Sequence, residues 1–368
     1  MSFDQIAFSE QSGLSEHCRP PAIRTGTPRH EENQQGLIDR LGRRITYLRL
    51  SVTDRCDFRC TYCMAESMRF LPHQQLMSFE EAERVVRCFV SMGVDKLRIT
   101  GGEPLVRKQL PTLLGRLART PGLRQLALTT NGSQLAFHAE QLRRAGVSSL
   151  NISLDSLRPE RFRRITRNGE LQQVLTGIKT ARLLGFERIR LNCVLMRGVN
   201  DDEIVDLTRY AIERDLDIAF IEEMPLGGIA PRERRLLSAD AAIEQLSLHL
   251  PLQSVDDNTG GPARYWKVIG SPSRVGMIAP HSNNFCNRCN RVRISASGEL
   301  YPCLGQDDAV ALLPLLRAHP DDDAPLRQAI LQALGSKPDG HHFGEIQNNA
   351  LGAQSAPAIM RFMSMTGG

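Results

Sequence analysis

Six of the nine cysteines fall into two groups of three, and their spacing is the strongest chemical signal in the sequence. The first group, Cys56, Cys60 and Cys63, lies in CDFRCTYC with the spacing CxxxCxxC. Three thiolates leave one iron of a four-iron, four-sulfur (4Fe-4S) cluster open to a small chelator. Structural zinc is the alternative, but zinc needs a fourth Cys or His, and a second pair at zinc-finger spacing is missing nearby. We therefore predict an iron–sulfur cluster here.

The second group consists of Cys286, Cys289 and Cys303, a CxxC followed by thirteen residues and a third Cys. Three thiolates again leave one iron of a cluster open. The spacing also allows a zinc site with His281 as the fourth ligand. Arg291 and Arg293 would share one face of a strand, where two guanidinium groups suit phosphate oxygens, although a pair of surface arginines has the same pattern.

The elements that must position these residues are predicted to be strands and helices in alternation. Short β-branched runs alternate with helical stretches, as is typical of a parallel sheet. The clearest helix begins at Ser78 with a capping box. A full eight-unit barrel takes about 250 residues, so six units predict an α/β fold with an incomplete (β/α)6 TIM-like barrel and a cleft at the strand C-termini. The predicted strands are 45–53, 96–100, 126–130, 150–155, 188–196 and 217–224.

The phase of these strands predicts a polar interior. Side chains alternate between the two faces of a strand, so Arg49, Arg98 and Arg190 lie opposite their apolar neighbours, as does Thr129. Buried arginines are costly to desolvate unless water or an anionic ligand fills the space between them. The interior is therefore a candidate anion site.

The sequence divides into a flexible tail (1–36), the barrel (37–230) and a C-terminal region (231–368) with the second cysteine group. The net charge of +5 and pI near 8.8 fit a phosphate-bearing ligand but do not require one. The sequence contains no apolar run of the roughly 18 to 20 residues that a membrane helix needs, and no signal peptide. We expect a cytoplasmic protein without a membrane partner.

Several motifs carry a resemblance to a known family. CxxxCxxC with Tyr62 before its last Cys, followed by Gly101-Gly102-Glu103-Pro104, resembles the radical S-adenosylmethionine (radical SAM) superfamily. The glycines would let the backbone approach a ligand, and Glu103 could accept a hydrogen bond from an ammonium group. RITGGEP, NISLDSL, FIEEMPLG, GPARYW, FCNRCNRVR and MSMTGG together resemble the molybdenum cofactor biosynthesis protein A family, the GTP 3',8-cyclases, from about Leu37 to Gly368.

This resemblance implies two 4Fe-4S clusters, S-adenosylmethionine as cofactor and GTP as substrate. In the family, a 5'-deoxyadenosyl radical abstracts hydrogen from C3' of GTP, and the ribose radical attacks C8. The product is (8S)-3',8-cyclo-7,8-dihydroguanosine 5'-triphosphate, the first intermediate of molybdopterin synthesis. The implied partners are a one-electron donor, such as a flavodoxin or ferredoxin, and the downstream accessory enzyme of the pathway. The oligomeric state is open, with a homodimer as one option.

The resemblance also implies roles for individual residues. The terminal Gly367 and Gly368 would reach into the active site and be needed for activity, together with the first cluster and Arg291 and Arg293. Two positions depart from the family, which commonly has Lys at Arg190 and Arg at Ala219. The implied cofactor contacts are Tyr62, Gly102, Glu103, Ser153 and Met224. The implied GTP contacts are Arg49, Arg98, Thr129, Arg190, Arg291 and Arg293. The implied cluster ligands are Cys56, Cys60, Cys63, Cys286, Cys289 and Cys303.

The sequence is also compatible with two other functions. One is a radical enzyme that acts on a peptide and uses the second cluster as an electron carrier, and the terminal Gly-Gly and Arg291 and Arg293 argue against it. The other is a metal-stabilised nucleic-acid-binding protein, suggested by the basic pI and the clustered cysteines. Inward arginines argue against a nucleic-acid partner, because nucleic-acid binders display their cations outward.

Overall fold

Six parallel strands in consecutive order form the centre of the fold. The computed structural model describes residues 36–227, 236–256, 261–341, 343, 359 and 361–367. Each predicted strand is present, and each pairs in parallel with the next. The predicted α/β class with a (β/α)6 core is confirmed. These strands are β1 (Tyr47–Ser51), β2 (Lys96–Thr100), β3 (Gln125–Thr130), β4 (Ser149–Ser153), β5 (Arg188–Leu195) and β6 (Asp217–Glu222).

Helices connect successive strands. The predicted capping box starts the first one: Ser78 Oγ accepts from Glu81 N at 3.1 Å, and Glu81 Oε2 accepts from Ser78 N at 2.7 Å. This reciprocal pair satisfies two backbone donors that a helix start leaves open. The helices of this part are α1 (Phe79–Ser91), α2 (Leu110–Leu117), α3 (Leu135–Arg144), α4 (Pro159–Thr166), α5 (Leu171–Leu183) and α6 (Ile204–Ile212).

The C-terminal region extends the same sheet at both edges. One of its strands pairs in parallel with β1 and another with β6, and antiparallel strands follow outside both. The sequence pattern did not predict that two of these strands would lengthen the parallel sheet. The strands are β7 (Leu252–Val255), β8 (Arg264–Val268), β9 (Arg274–Ile278), β10 (Arg291–Ile294), β11 (Glu299–Tyr301) and β12 (Val310–Ala311). The sheet order is β12-β11-β10-β1-β2-β3-β4-β5-β6-β9-β8-β7.

Four further described helices lie in this region. They are α7 (Ala239–Ser247), α8 (Leu313–Ala318), α9 (Ala324–Gly335) and α10 (Met363–Thr366). None of the helices in the described part of the chain is long and apolar enough to cross a membrane. Residues 1–35, which make up nearly all of the predicted tail, lie outside the described residues, and the division at residue 230 stays a prediction.

The hydrophobic core lies between the strands and the helices that follow them. Leu48 and Leu97 are fully buried in one cluster with Val86 and Leu113 of α1 and α2. Cys193 of β5 is also fully buried. The apolar strand faces are therefore covered by helices, and the opposite, polar faces are left to line the interior.

Candidate active site

The first cysteine group lies in the loop that follows β1. Backbone hydrogen bonds fasten this loop to the end of α4, from Arg59 N to Thr166 O and from Thr61 N to Ile165 O, both 2.9 Å. All three cysteines are half-buried free thiols. Burial raises the pKa of Cys60, and the nearby Cys63 raises it further. Ligand thiols must lose their protons to bind metal, so a group of close, partly buried thiols fits a cluster that replaces the protons.

Gly101 and Gly102 allow this loop to lie against the end of β2. A Cβ on Gly102 would be 2.3 Å from the carbonyl oxygen of Arg55, and one on Gly101 would be 2.7 Å from that of Thr53. Gly102 N also donates to Thr53 O at 2.7 Å. The sequence suggested that these glycines admit a ligand. The structure shows that they admit the backbone of the cysteine loop.

Glu103 is directed into the protein rather than into a cavity. It is fully buried, and its carboxylate accepts from Thr130 Oγ1 at 2.7 Å and from Asn131 N at 2.6 Å. Burial raises the pKa of Glu103 to about 8, against the opposing effect of these hydrogen bonds. Glu103 therefore stabilises the end of β3 through these hydrogen bonds. Its contact with the cofactor stays a prediction.

A first cavity opens beside the first cysteine group, and its described lining includes carboxylates but no Lys or Arg. Tyr62 OH donates to Asp155 Oδ2 at 2.7 Å. Burial raises the pKa of Asp155 to about 6, against a hydrogen bond from Val194 N. The lining includes Cys60, Cys63, Thr100, Thr129, Asp155, Glu222 and Glu223, together with four of the five predicted cofactor residues, Tyr62, Gly102, Ser153 and Met224.

A second cavity has the opposite charge. Seven cationic side chains line it, and none of its described lining residues is Asp or Glu. Five of the seven were predicted as GTP contacts. The cations are Arg49, Lys96, Arg98, Arg188, Arg190, Arg291 and Arg293. The three cysteines of the second group, Cys286, Cys289 and Cys303, line the same cavity.

Strand register places three of these arginines in one row. Arg49 of β1 lies directly opposite Arg293 of β10 on one side and Arg98 of β2 on the other. All three side chains are buried. Burial lowers the pKa of Arg49 to about 10, and the charges of Arg98 and other arginines add to that effect. So many buried like charges are costly unless an anion lies among them.

Two buried tyrosines orient the arginines of the second cavity. Arg98 Nε donates to Tyr47 OH at 2.6 Å, and Arg190 Nη1 donates to Tyr265 OH at 2.7 Å. Ala219, one of the two departures from the family, is fully buried and pairs with Gly276, whose other neighbour in the sheet is Tyr265. A Cβ on Gly276 would lie 3.0 Å from Tyr265 Cε1 and 3.4 Å from Ala219 Cβ.

The other two cations of this cavity, Lys96 and Arg188, and the tyrosine that orients Arg98 were not predicted from the sequence. Tyr47, Lys96 and Arg188 each lie two residues before a predicted arginine and share its strand face. The same alternation argument would have found them.

The two cavities meet at shared residues. Asn192, Ile221 and Met224 line both of them. Thr129, predicted as a GTP contact, lines the first cavity, and its Oγ1 is 3.4 Å from Arg98 Nη1 of the second. Predicted GTP and cofactor contacts therefore lie next to each other.

The C-terminal tail reaches this junction. The carbonyl oxygen of Gly367 accepts a hydrogen bond from Arg293 Nη1, and a Cβ on Gly367 would be 2.1 Å from Thr100 Oγ1. Met363 and Ser364 line the first cavity. Gly368 lies outside the described residues.

His281, the candidate fourth ligand of a zinc site, does not line the cavity of the second cysteine group. His281 Nε2 lies 2.9 Å from the carbonyl oxygen of Glu223 instead. Within the described ranges, no group of three or more His, Cys, Asp or Glu side chains is arranged to hold a single metal ion. Thiols that line an open cavity fit a cluster, because each then binds a different iron. Burial would raise the pKa of Cys289, but the charges of Arg291 and Lys337 outweigh it and lower that pKa to about 7, which favours the thiolate.

Comparisons with known proteins agree with this arrangement. Residues 50–211 match the model of the radical SAM superfamily, and residues 216–343 match the model of Molybdenum Cofactor Synthesis C. The GTP 3',8-cyclase of Pseudomonas entomophila (strain L48) is 54% identical over 92% of this chain and 100% of that protein. The GTP 3',8-cyclase of Ectopseudomonas mendocina (strain ymp) is 55% identical over 90% of this chain and 98% of that protein.

Solved structures with the same fold include one at low sequence identity. Streptococcus suis SuiB bound to S-adenosylmethionine has a TM-score of 0.56 and 17% identity, over 87% of this chain and 77% of that one. At this identity the likeness concerns the fold alone. From the family models and the similarity to its relatives along nearly its whole length, the chain belongs to the radical SAM superfamily and, within it, to the GTP 3',8-cyclase family.

Proposed function

We propose that this chain is a GTP 3',8-cyclase of molybdenum cofactor biosynthesis, a radical SAM enzyme that converts GTP into (8S)-3',8-cyclo-7,8-dihydroguanosine 5'-triphosphate. The observation that carries the proposal is the division of charge between two adjoining cavities. S-adenosylmethionine carries a sulfonium and an ammonium group, which suit the carboxylates of the first cavity. The triphosphate of GTP suits the seven cations of the second.

Beside the first cavity, Cys56, Cys60 and Cys63 would hold a 4Fe-4S cluster as thiolates, and three protein ligands would leave one iron available to the cofactor. When bound, the cluster and S-adenosylmethionine supply the one-electron chemistry that starts the reaction. Tyr62, held by Asp155, limits how the adenine can lie. The remaining proposed cofactor contacts are Gly102, Glu103, Ser153 and Met224, with Glu103 acting from its buried position.

In the second cavity, the arginines bind the triphosphate and so set where the ribose lies. The row of Arg293, Arg49 and Arg98 spans three adjacent strands, and Arg190, which lines the same cavity, is held by Tyr265. The proposed contact from Thr129 and the shared residue Asn192 lie where the two cavities meet. We propose that this arrangement directs C3' of GTP toward the first cavity, since positioning of the reacting atoms supplies much of such a rate enhancement.

We further propose that Cys286, Cys289 and Cys303 hold a second 4Fe-4S cluster whose open iron binds the guanine. The cysteines line the same cavity as Arg291 and Arg293, so base and phosphates would be held together. A flavodoxin or ferredoxin would supply the electron, and the downstream accessory enzyme would take the product. We place these steps in the cytoplasm, where reducing conditions keep cysteines available as thiols.

The test is an anaerobic assay. After reconstitution with iron and sulfide, the protein is incubated with reductant, S-adenosylmethionine and GTP, and the products are analysed by mass spectrometry. We expect 5'-deoxyadenosine and an isomer of GTP, and neither from a variant in which Cys56, Cys60 and Cys63 are replaced by Ala. If 5'-deoxyadenosine forms while GTP is unchanged, the assigned substrate is wrong.

The assignment of GTP as substrate is tested in the same assay with the variant Arg291→Ala. This change should weaken GTP binding and leave uncoupled formation of 5'-deoxyadenosine largely intact, because the side chain lines the second cavity and not the first. Arg288→Ala is the matched control, since Arg288 is an exposed arginine of the same segment. Unchanged GTP binding with loss of 5'-deoxyadenosine would contradict the assignment of Arg291.

A further inference from the structure

Lys337 is a buried cation beside the second cysteine group. It follows α9, and only 2% of it is exposed. Its Nζ donates to the carbonyl oxygens of Arg291, at 2.9 Å, and of Pro302, and lies 3.7 Å from Cys289 Sγ. An ammonium group has three donors, so all three are engaged by these partners.

The partners of Lys337 belong to two different segments that carry cysteines. Arg291 begins β10 two residues after Cys289, and Pro302 directly precedes Cys303. One side chain therefore ties the positions of Cys289 and Cys303 to each other. Removing it would leave two buried carbonyl oxygens without this donor.

The charge of Lys337 also needs an explanation. A buried ammonium is costly unless a negative charge lies close to it. Arg43, a second buried cation nearby, has such a partner: its Nε lies 2.6 Å from Asp39 Oδ2, while other nitrogens bind the carbonyl oxygens of Cys286 and Pro338. Within the described part of the chain, no carboxylate is hydrogen-bonded to the ammonium of Lys337, whose third partner is the sulfur of Cys289.

We propose that Lys337 is a positioning residue for the second cluster, which holds the Cys289 and Cys303 segments in place and offsets the negative charge of the cluster. This inference rests on the second cluster of the proposed function. A 4Fe-4S cluster with three thiolates is anionic, and reduction adds a further negative charge. A cation within hydrogen-bonding distance of a ligand sulfur therefore favours the reduced state and raises the reduction potential.

The test separates this cluster from the first one. In the full chain with Cys56, Cys60 and Cys63 replaced by Ala, the second cluster alone supplies the iron and the electron paramagnetic resonance signal. Lys337→Gln keeps hydrogen-bond donors but removes the charge, so we expect retained iron and a more negative reduction potential. Lys337→Met removes both, so we expect the same shift together with loss of bound iron.

Lys179→Met is the matched control, because Lys179 is an exposed residue of α5 and should alter neither iron content nor potential. A potential that does not move in Lys337→Gln would overturn the inference, whether or not iron is lost, since a purely structural side chain would leave the potential unchanged. If Lys337→Met does not fold, the reduction potential of Lys337→Gln still tests the inference. If the parent with Lys337 intact binds no cluster, the second cluster itself is refuted.

Discussion

At the scale of the residue, Tyr47 lies among the cations that we assign to GTP. Its hydroxyl accepts from Arg98 Nε, and Lys96 Nζ lies 4.7 Å from its ring centroid. Burial would raise the pKa of Tyr47, but the charges of Arg98, Arg49 and Lys96 outweigh it and lower that pKa to about 7. Arg293 of β10 also interacts electrostatically with this phenol. In the ligand-free protein, the phenolate therefore forms as the pH rises through neutrality.

This predicts that GTP binds more weakly as the pH rises from 7 to 9. The phenolate competes with the triphosphate for the same cations, so binding requires Tyr47 to take up a proton. The dissociation constant of GTP should rise by up to about tenfold per pH unit, measured by anaerobic calorimetry. Tyr47→Phe should remove this dependence, and Tyr210→Phe, a half-buried tyrosine of α6, should keep it. An equal pH slope in parent and Tyr47→Phe would refute the role.

At the scale of the element, the end of β2 and the cysteine loop after β1 depend on each other. Gly102 and Glu103 donate their backbone N–H groups to Thr53 O and Arg55 O, at 2.7 and 2.8 Å. This approach is possible only because Gly102 lacks a Cβ. The position of the first cysteine group therefore depends on the end of β2 as well as on the end of α4.

Gly102→Ala should accordingly shift the cysteine loop. Its Cβ would lie 2.3 Å from Arg55 O, so we expect a loss of about 1 to 3 kcal/mol in the free energy of unfolding and less iron bound at the first site. Gly115→Ala is the control: Gly115 lies within α2 with open space around it, and Ala there should stabilise by about 0.5 to 1 kcal/mol. Both are measured by urea unfolding and iron analysis. If Gly102→Ala behaves like the control, the packing argument fails.

At the scale of the whole molecule, distant parts of the chain converge on the site. β10 of the C-terminal region pairs with β1 and brings Arg291, Arg293 and the second cysteine group to the cavity that β1 and β2 line. The final residues then return to the junction of the two cavities, where Gly367 packs on Thr100 and binds Arg293. Gly367 therefore contacts one lining residue of each cavity, Thr100 of the first and Arg293 of the second.

We predict that Gly367→Ala uncouples the reaction. Its Cβ would overlap Thr100, which displaces the tail, so the yield of the GTP isomer should fall by about ten- to a hundredfold while 5'-deoxyadenosine still forms. Gly270→Ala is the matched control, because Gly270 has a similar positive φ of 84° against 73° but no neighbour within 4 Å. Both products are quantified by mass spectrometry. Normal coupling in Gly367→Ala would show that the tail position is not required.

The sequence by itself determined the local features of this protein. The spacing of Cys56, Cys60 and Cys63 indicated the chemistry, because cluster ligation depends on residue type and short separations. The alternation of side chains along β1, β2 and β5 placed Arg49, Arg98 and Arg190 in the interior, since it is a property of each strand alone. The capping box at Ser78 was predictable for the same reason.

Only the tertiary structure decided which distant residues meet. The pattern of the sequence does not indicate that β10 pairs with β1 or that β9 pairs with β6. Pairing between strands that are distant in the sequence depends on packing rather than on local pattern. Glu103 fits the family motif, yet the fold directs it to Thr130 and Asn131. Likewise, the sequence around Lys337 does not indicate its role. Its partners lie in β10 and beside Cys303, and they come within hydrogen-bonding distance only when the chain folds.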